Sequence, residues 1–298
     1  MADGEVAAPV VVKVGGASAV DPGGALADVA ALVGDGTDVV VVHGGSTAVD
    51  DALERMGIEP EYVETPSGVV GRFTDAETME VFTMAMAGRV NTDLVTGLQN
   101  EGCAAVGLSG VDGGLFTGQR KSAVRVLEDG KRKIRRGDHS GRIESVDDDL
   151  LETLLSEGYT PVVSPPMLAD DVADRRSADS ETATRKWVAV NTDADRASAA
   201  VSAALGGTLV SLTDVAGVYR DLDDPETVID RVETPDEYDE LTDAAEGFMD
   251  RKVMAATEAL EGGASEVVVA DANAESPVRS ALSGGGTHIL PEAVGGVE

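Results

Sequence analysis

The stretch PVVVKVGG at residues 9–16 combines a continuous apolar run with one lysine and a terminal glycine pair. A continuous apolar run is typical of a strand that is covered on both faces, as in a parallel sheet. The stretch TDVVVVHGG at 37–45 repeats this form, including the glycine pair. Further buried strands are predicted for CAAVGLSG (103–110, with Cys103 in the strand), YTPVVSPP (159–166), GTLVSLTD (207–214) and ASEVVVAD (264–271).

Helical patterns lie between these strands. Three apolar stripes follow the i, i+3, i+4, i+7 spacing of an amphipathic helix. They are Val49, Ala52, Leu53 and Met56; Ala197, Ala200, Val201 and Ala204; and Met249, Val253, Ala256 and Leu260. The alternation of strands and helices predicts an α/β fold, a three-layer αβα sandwich with a mainly parallel central sheet.

The chain is expected to form two lobes. Residues 169–186 are polar, lack periodicity and follow a Pro-Pro pair, so we interpret them as a mobile connection. The N-terminal lobe then covers residues 1–170 and the C-terminal lobe residues 171–298.

Composition restricts the function. The chain has 298 residues and a formal net charge of −32, an acidic surface typical of a salt-adapted protein, and this argues against nucleic acid as a partner. Cys103 is the single cysteine, which excludes an intrachain disulfide and a cysteine-based metal cluster. We see no apolar run of about 20 residues and no signal peptide, so no membrane association and a cytoplasmic location are expected.

The two glycine pairs predict an anion site. Gly15 and Gly16 follow one strand, Gly44 and Gly45 another, and each pair precedes a predicted helix. Glycine lets backbone N–H groups approach an anion, and the helix N-terminus adds a favourable dipole. Neither pair fits the common nucleotide-binding fingerprints, and a tight turn is the alternative. Two such turns at the same edge of a parallel sheet converge where such sheets bind ligands, which makes the phosphate interpretation as strong as the tight turn.

Lysine is scarce, and two lysines lie outside the basic and polar segments. Lys13 lies at the end of the first strand and Lys252 early in the helix GFMDRKVMAATEAL, in a chain that otherwise prefers arginine. A retained lysine indicates a need for a compact positive charge. The alternative for each is an exposed side chain whose stem covers apolar surface.

Taken together, the motifs VKVGG, VHGGS, GRFTDAETMEV, AVGLSGVDG, VNTDADRASAA, LTDVAGVY and GFMDRKVMAA resemble the amino acid kinase family, and within it the acetylglutamate kinase group. They occur in the order of the family and cover nearly the whole chain. The resemblance implies an enzyme that transfers the γ-phosphoryl group of ATP to a side-chain carboxylate, giving an acyl phosphate. Such chemistry depends on positioning and on charge neutralisation.

The resemblance also implies roles for individual residues. Lys13 and Lys252 would flank the migrating phosphoryl group, and Asp195 would orient both lysines. Gly15 and Gly16 would bind phosphate and Gly44 and Gly45 the substrate. The nucleotide site in the C-terminal lobe would comprise Thr213, Asp214, Gly217, Tyr219 and Met249. Mg²⁺ would arrive with ATP, because the sequence contains no evident ligand cluster for it.

The amino acid end of the substrate is assigned to Arg72 and Asn191. Arg72 precedes Thr74, which we predict to cap a helix with Glu77 completing a capping box. A guanidinium beside a helix N-terminus suits a carboxylate, and a surface pair with Asp75 is the alternative. In the family the arginine holds the α-carboxylate and Asn191 assists it. Asp193 replaces an asparagine that is frequent in acetylglutamate kinases, so its role stays open.

A basic segment, GQRKSAVRVLEDGKRKIRRGDHSGR at residues 118–142, stands out in this acidic chain. It contains nine Lys or Arg and three acidic residues. We predict a β-hairpin, with SAVRVL and KRKIRR as strands around an Asp129-Gly130 turn. A solvated ribbon that protects a sheet edge is one interpretation, and a surface for an acidic macromolecule is the other.

The basic segment also resembles the branch of the family that acts on amino acids linked to the small acidic carrier protein LysW, in arginine or lysine biosynthesis. That resemblance implies a carrier surface made of Arg120, Lys121, Lys131, Arg132, Lys133, Arg135 and Arg136. Glutamate and α-aminoadipate differ by one methylene, and the sequence leaves both open as substrates. A homodimer built through the N-terminal lobe is expected.

Two other interpretations remain. One is a kinase for free N-acetyl-L-glutamate, which shares the fold and the reaction. The other is a non-catalytic sensor of nucleotides or amino acids, which the presence of Lys13, Lys252 and Asp195 disfavours.

Overall fold

The computed structural model describes residues 8–15, 22–66, 68, 70–128, 130–171, 186–221, 224, 226–245 and 248–295. The strands are β1 (Val10–Val14), β2 (Val39–His43), β3 (Tyr62–Glu64), β4 (Val70–Arg72), β5 (Ala105–Gly110), β6 (Phe116–Glu128), β7 (Lys131–Val146), β8 (Thr160–Asp170), β9 (Trp187–Val190), β10 (Thr208–Thr213), β11 (Arg231–Val232), β12 (Glu266–Asp271) and β13 (Thr287–Ile289).

The helices of the described residues are α1 (Gly23–Gly34), α2 (Ser46–Arg55), α3 (Ala76–Thr83), α4 (Asn91–Asn100), α5 (Asp148–Ser156), α6 (Ala194–Leu205), α7 (Pro235–Ala244), α8 (Phe248–Glu261) and α9 (Pro277–Leu282). A π-helix, Met84–Val90, joins α3 to α4, and short 3₁₀ helices cover Asp112–Gly114 and Pro291–Val294. Within the described residues no helix is long and apolar enough to cross a membrane.

One sheet contains eleven of these strands, and both halves of the chain contribute to it. Its order is β11-β13-β12-β10-β1-β2-β8-β6-β7, and β5 and β9 also pair with β8. Strand β1 lies between β2 and β10 and is parallel to both. From β1 the chain continues to β2 on one side of it, whereas β10 and then β12 lie on the other side. The order of the strands therefore reverses beside β1. Ligands of such sheets bind beyond the carboxyl ends of the strands at this kind of switch point.

The two faces of β1 separate two helical layers. Val10, Val12 and Val14 pack with α1, α4 and α9 on one face. Val11 packs on the opposite face with α6 and α8, and Lys13 shares that face because side chains alternate along a strand. Each fully buried valine contributes about 1.5–3 kcal/mol to stability. The predicted three-layer αβα sandwich is confirmed.

Several local predictions need correction. Met56 follows the last residue of α2 and is 58 % exposed, so it does not belong to the core stripe. Cys103 is buried but precedes β5, which begins at Ala105.

The predicted connection at 169–186 also begins too early. Ala169 and Asp170 belong to β8 and pair with β9. Most of that connection, residues 172–185, lies outside the described residues. The division into two lobes stays a prediction.

Candidate active site

Two lysines share one carboxylate at the carboxyl edge of the sheet. Lys13, in β1, places its Nζ 2.6 Å from Oδ1 of Asp195. Lys252, in α8, places its Nζ 3.5 Å from the same oxygen. The three side chains are only 8 %, 12 % and 19 % exposed for Lys13, Lys252 and Asp195. With both lysines protonated, the cluster keeps a net positive charge, which suits an anionic ligand.

The charges of this cluster depend on one another. Burial would raise the pKa of the Asp195 carboxyl, but the neighbouring ammonium groups of Lys13 and Lys252 outweigh burial and lower that pKa to about 2. Burial and repulsion from Lys13 lower the pKa of Lys252, whereas Asp195 raises it. Asp195 therefore stays ionised and holds two like charges close together.

Local structure fixes Asp195 in the first turn of α6. The helix begins after Asp193, whose Oδ1 accepts hydrogen bonds from the backbone N–H groups of Asp195 and Arg196, at 2.9 and 3.1 Å. Such an N-cap is worth about 0.5–2 kcal/mol. Asp193, whose role the sequence left open, thus orients the residue that binds both lysines. An ion pair of 3.2 Å between Arg196 and Glu258 ties α6 to α8.

The glycine turns lie at the same edge of the sheet. Val14 pairs with His43, so the turns after β1 and β2 are neighbours. The N–H of Gly44 donates to the carbonyl of Val14 at 3.1 Å, so this group is engaged within the protein. Gly45 is the N-cap residue of α2, and a Cβ at Gly45 would lie 2.6 Å from Sδ of Met86. Gly15 is described, whereas Gly16 lies outside the described residues.

Arg72 reaches the N-terminus of α2. Its Nη2 donates to the carbonyl and the hydroxyl of Ser46, both at 2.9 Å, and to Oδ1 of Asp50 at 2.7 Å. The Tyr62 hydroxyl donates to Oδ2 of Asp50 at 2.7 Å. Arg72 therefore lies beside Gly45. Its acidic partner is Asp50 and not Asp75.

The predicted cap of α3 was wrong. Asp75 is the N-cap residue, and its carboxylate accepts from the N–H of Thr78 at 2.8 Å. Thr74 is buried, and its hydroxyl accepts from Nδ2 of Asn191 at 3.0 Å. Asn191 is thereby linked to the segment that follows Arg72.

Most of the predicted nucleotide residues lie at the end of β10 and in the loop after it, at the same edge of the sheet. The Thr213 hydroxyl donates to Asp214 at 3.1 Å, and the Tyr219 hydroxyl accepts from the N–H of Ala216 at 3.2 Å. Between them, a Cβ at Gly217 would lie 2.6 Å from Oγ1 of Thr287. Met249 lies in α8 and packs, half-buried, against the core.

Thr287 was missed by the sequence analysis. Its hydroxyl accepts from the N–H of Val218 at 2.8 Å and so holds the loop 213–219 against β13. A single threonine in a short strand carries no sequence signal for such a contact.

The basic segment forms the predicted hairpin. Strands β6 and β7 pair in antiparallel fashion from Phe116 with Val146 to Glu128 with Lys131, although Asp129 of the turn lies outside the described residues. Arg120 is not part of an exposed surface, because its Nη1 lies 2.8 Å from Oδ2 of Asp171 and its side chain is 14 % exposed.

The two faces of the hairpin differ. Residues that pair directly across two strands share a face. One face contains Val124, buried Val126 and Arg135, whose guanidinium lies 4.3 Å from the centroid of the Phe73 ring. The Arg135 guanidinium also binds the carboxylate of Glu61. This face packs inward against the protein.

The outward face, which we name the basic face, consists of the paired residues Leu127 with Arg132, Arg125 with Ile134, and Ala123 with Arg136. Ile134 is 67 % exposed, and within the described residues the three arginines have no carboxylate partner. The basic face thus surrounds an apolar centre with positive charge.

Other charged residues of the hairpin are placed differently. Lys133 binds Glu128 at 2.7 Å, and Arg142 lies 3.7 Å from Glu258. Lys121 and Lys131 are exposed. No group of three or more His, Cys, Asp or Glu suited to a metal ion occurs among the described residues.

The family model described as the amino acid kinase family matches residues 8–271. A [LysW]-aminoadipate kinase of Thermus thermophilus is 43 % identical over 286 residues, covering 94 % of this chain and 99 % of that protein. An acetylglutamate kinase of Methanopyrus kandleri is 41 % identical over 235 residues, covering 78 % of this chain and 85 % of that protein.

Among solved structures, the N-acetylglutamate synthase of Neisseria gonorrhoeae in complex with coenzyme A and N-acetyl-glutamate is similar in fold. The TM-score is 0.69 at 23 % sequence identity, and the match covers 95 % of this chain and 59 % of that chain.

Proposed function

Because this chain belongs to the amino acid kinase family, we propose that it transfers the γ-phosphoryl group of ATP to the side-chain carboxylate of glutamate or α-aminoadipate linked to the carrier protein LysW. The observation that carries the proposal is the Lys13–Asp195–Lys252 cluster at the switch point of the sheet. The 43 % identity to a [LysW]-aminoadipate kinase over 94 % of the chain supports the carrier-linked substrate.

The reaction needs no general base, because the acceptor carboxylate is already ionised near neutral pH. One carboxylate oxygen forms a bond to the γ-phosphorus, the bond from that phosphorus to the bridging oxygen breaks, and the electron pair leaves with ADP. Catalysis then rests on aligning two anions and on stabilising the charge of the transferred group. Lys13 and Lys252 supply this charge, and Asp195 sets their separation.

We assign the nucleotide to the loop 213–219 and to Met249. Gly15 and Gly16 are proposed to bind phosphate. Mg²⁺ is proposed to arrive on the phosphates of ATP, which neutralises part of their charge.

The amino acid end is assigned to Arg72 and Asn191, and Gly45 to the reacting oxygens of the substrate carboxylate and the phosphoryl group. Support comes from the contact between Arg72 and Ser46, which brings the guanidinium to the N-terminus of α2. A fork of N–H donors and a helix N-terminus both favour a carboxylate. To bind substrate, the N–H of Gly44 would have to give up its hydrogen bond to the carbonyl of Val14.

The carrier is assigned to the basic face. Its three arginines complement an acidic protein, and exposed Ile134 and Leu127 provide apolar contact at its centre. Lys121, Lys131 and Lys133, which are exposed, are proposed as further carrier contacts outside the basic face, with Lys133 beside Glu128. Arg120 and Arg135 are not included, because Arg120 is largely buried beside Asp171 and Arg135 packs on the inward face against Phe73.

The proposal is tested by supplying the purified protein with ATP, Mg²⁺ and LysW whose C-terminus has been loaded with glutamate or α-aminoadipate. Hydroxylamine traps an acyl phosphate as a hydroxamate, which mass spectrometry detects on the carrier. We expect hydroxamate and ADP in equal amounts with loaded carrier and neither with unloaded carrier. Efficient turnover of free N-acetyl-L-glutamate without reaction of the loaded carrier would favour an ordinary N-acetylglutamate kinase instead.

The cytoplasmic location and the homodimer stay predictions.

A further inference from the structure

A buried histidine and asparagine lie behind the glycine turn of β2. His43 is completely buried and Asn91, the first residue of α4, is 5 % exposed. Neither has a part in the proposed phosphoryl transfer. The Asn91 amide fills the space that a Cβ at Gly107 would need, since such a Cβ would lie 2.1 Å from Oδ1 of Asn91.

The hydrogen-bond partners define the tautomer of His43. Nδ2 of Asn91 donates to the carbonyl of Val162 at 2.9 Å, which fixes the orientation of the amide because a carbonyl can only accept. The same amide nitrogen lies 3.1 Å from Nε2 of His43, so Nε2 accepts. Nδ1 lies 3.0 Å from the carbonyl of Gly44 and must therefore carry the proton. Burial lowers the pKa of His43 to about 4, so the imidazole is neutral near neutral pH.

This arrangement determines the direction of the next N–H group. The C=O of Gly44 and the N–H of Gly45 belong to one planar trans peptide unit and point in opposite directions. The side chain of His43 lies on the face of the sheet that packs against α1 and α4, because it shares that face with Val39 and Val41. The N–H of Gly45 is therefore turned towards the other face, where Lys13 meets Asp195 and Lys252.

We propose that His43 is a positioning residue, which holds the Gly44 carbonyl so that the Gly45 N–H faces the phosphoryl group during transfer. Asn91 maintains the required tautomer by donating to Nε2. The inference rests on the proposed function, since it assigns a task to a backbone donor of that same site. A donor held in place in this way stabilises charge that develops in the transition state.

Two amide substitutions distinguish a hydrogen bond to the Gly44 carbonyl from packing as the role of His43. Asparagine places its amide near the position of Nδ1, so His43→Asn keeps a donor for the Gly44 carbonyl. His43→Gln is the closer match in volume, but its amide reaches the position of Nε2 and cannot serve that carbonyl. We expect kcat for carrier-linked substrate to fall at least about tenfold in His43→Gln and at most about threefold in His43→Asn. The KM for ATP should stay within about twofold of the original value in both.

Equal losses in the two variants, or a larger loss in His43→Asn, would overturn the proposal. Thermal unfolding of both variants identifies a protein that has failed to fold. The tautomer itself provides a second measurement that does not require activity. The chain has only three histidines, so ¹⁵N spectra of histidine-labelled protein are simple, and the His43 signals are those lost in either variant.

We expect His43 of the unsubstituted protein to show a protonated Nδ1 and a bare Nε2. A proton on Nε2 would overturn the proposal whatever the kinetics. If the unsubstituted protein phosphorylates no carboxylate, the proposed function fails, and the tautomer still decides whether His43 holds the Gly44 carbonyl.

Discussion

The ammonium group of Lys13 lies 2.6 Å from the carboxylate of Asp195, although 182 positions separate the two residues in the chain. Lys252 approaches the same carboxylate oxygen from a third element. Breaking a buried ion pair by removing one partner costs about 3–5 kcal/mol, because an uncompensated charge remains. Asp195 is thus the residue on which the charge state of the site depends.

Asp195→Asn should change both the rate and its pH dependence. Asp195 raises the pKa of Lys252, whereas burial and Lys13 lower it, so loss of the carboxylate lowers this pKa further. Lys252 then loses its proton at lower pH, and the alkaline limb of kcat should move to lower pH. We expect kcat at neutral pH to fall at least about a hundredfold. A pH–rate profile checks both effects, and an unchanged alkaline limb would contradict the assignment.

Charge reversal on the basic face should weaken carrier binding selectively. Arg132→Glu with Arg136→Glu places negative charge against an acidic partner, which should raise KM for carrier-linked substrate at least about tenfold. KM for ATP should not change. Arg55→Glu with Arg279→Glu, at two exposed positions outside the hairpin, is a control of equal charge. The same increase in the control would show that net charge alone matters, not the basic face.

Arg72→Ala should raise KM for the amino acid substrate about 10- to 100-fold, since a hydrogen bond to a charged group contributes about 1.5–3 kcal/mol. Arg72→Lys should restore little, because a lysine cannot reproduce the fork that reaches Ser46 and Asp50 together. Tyr62→Phe, which removes only a neighbouring hydroxyl, serves as a milder comparison. Steady-state kinetics with each substrate varied in turn provide the measurement.

Thr287→Val should loosen the loop 213–219 at nearly constant volume. The substitution leaves the N–H of Val218 without its acceptor, which costs about 1–3 kcal/mol of stability. KM for ATP should rise, whereas KM for the carrier-linked substrate should not. Denaturant unfolding and nucleotide titration check the two effects. A normal KM for ATP would argue against the assignment of this loop to the nucleotide.

Much of the fold was predictable from local pattern. The apolar runs identified buried strands, and the lysine within the first run indicated a charged group at the end of a strand. The cap of α3 was not predictable, because adjacent Thr74 and Asp75 are both good N-cap residues and only tertiary contacts decide between them.

The side-chain contacts between distant segments could not be predicted from the sequence either. Arg72 with Asp50, Arg120 with Asp171 and Thr287 with Val218 join segments that are far apart in the chain. Such contacts depend on strand register and on helix packing, which composition and periodicity do not specify. For the same reason, the basic segment was predicted as a hairpin, but its inward and outward faces were not distinguished.

We propose that Lys13 and Lys252 act on one phosphoryl group as it leaves ATP for a carboxylate. The most direct measurement is the single-turnover rate of acyl phosphate formation in Lys13→Ala and in Lys252→Ala, with Arg55→Ala as a control that removes an exposed cation outside the site and the hairpin. We expect the rate to fall at least about a hundredfold in each of the first two variants, with bound ATP retained, and not to fall in the control. A rate near that of the unsubstituted protein in either Lys13→Ala or Lys252→Ala would contradict this proposal.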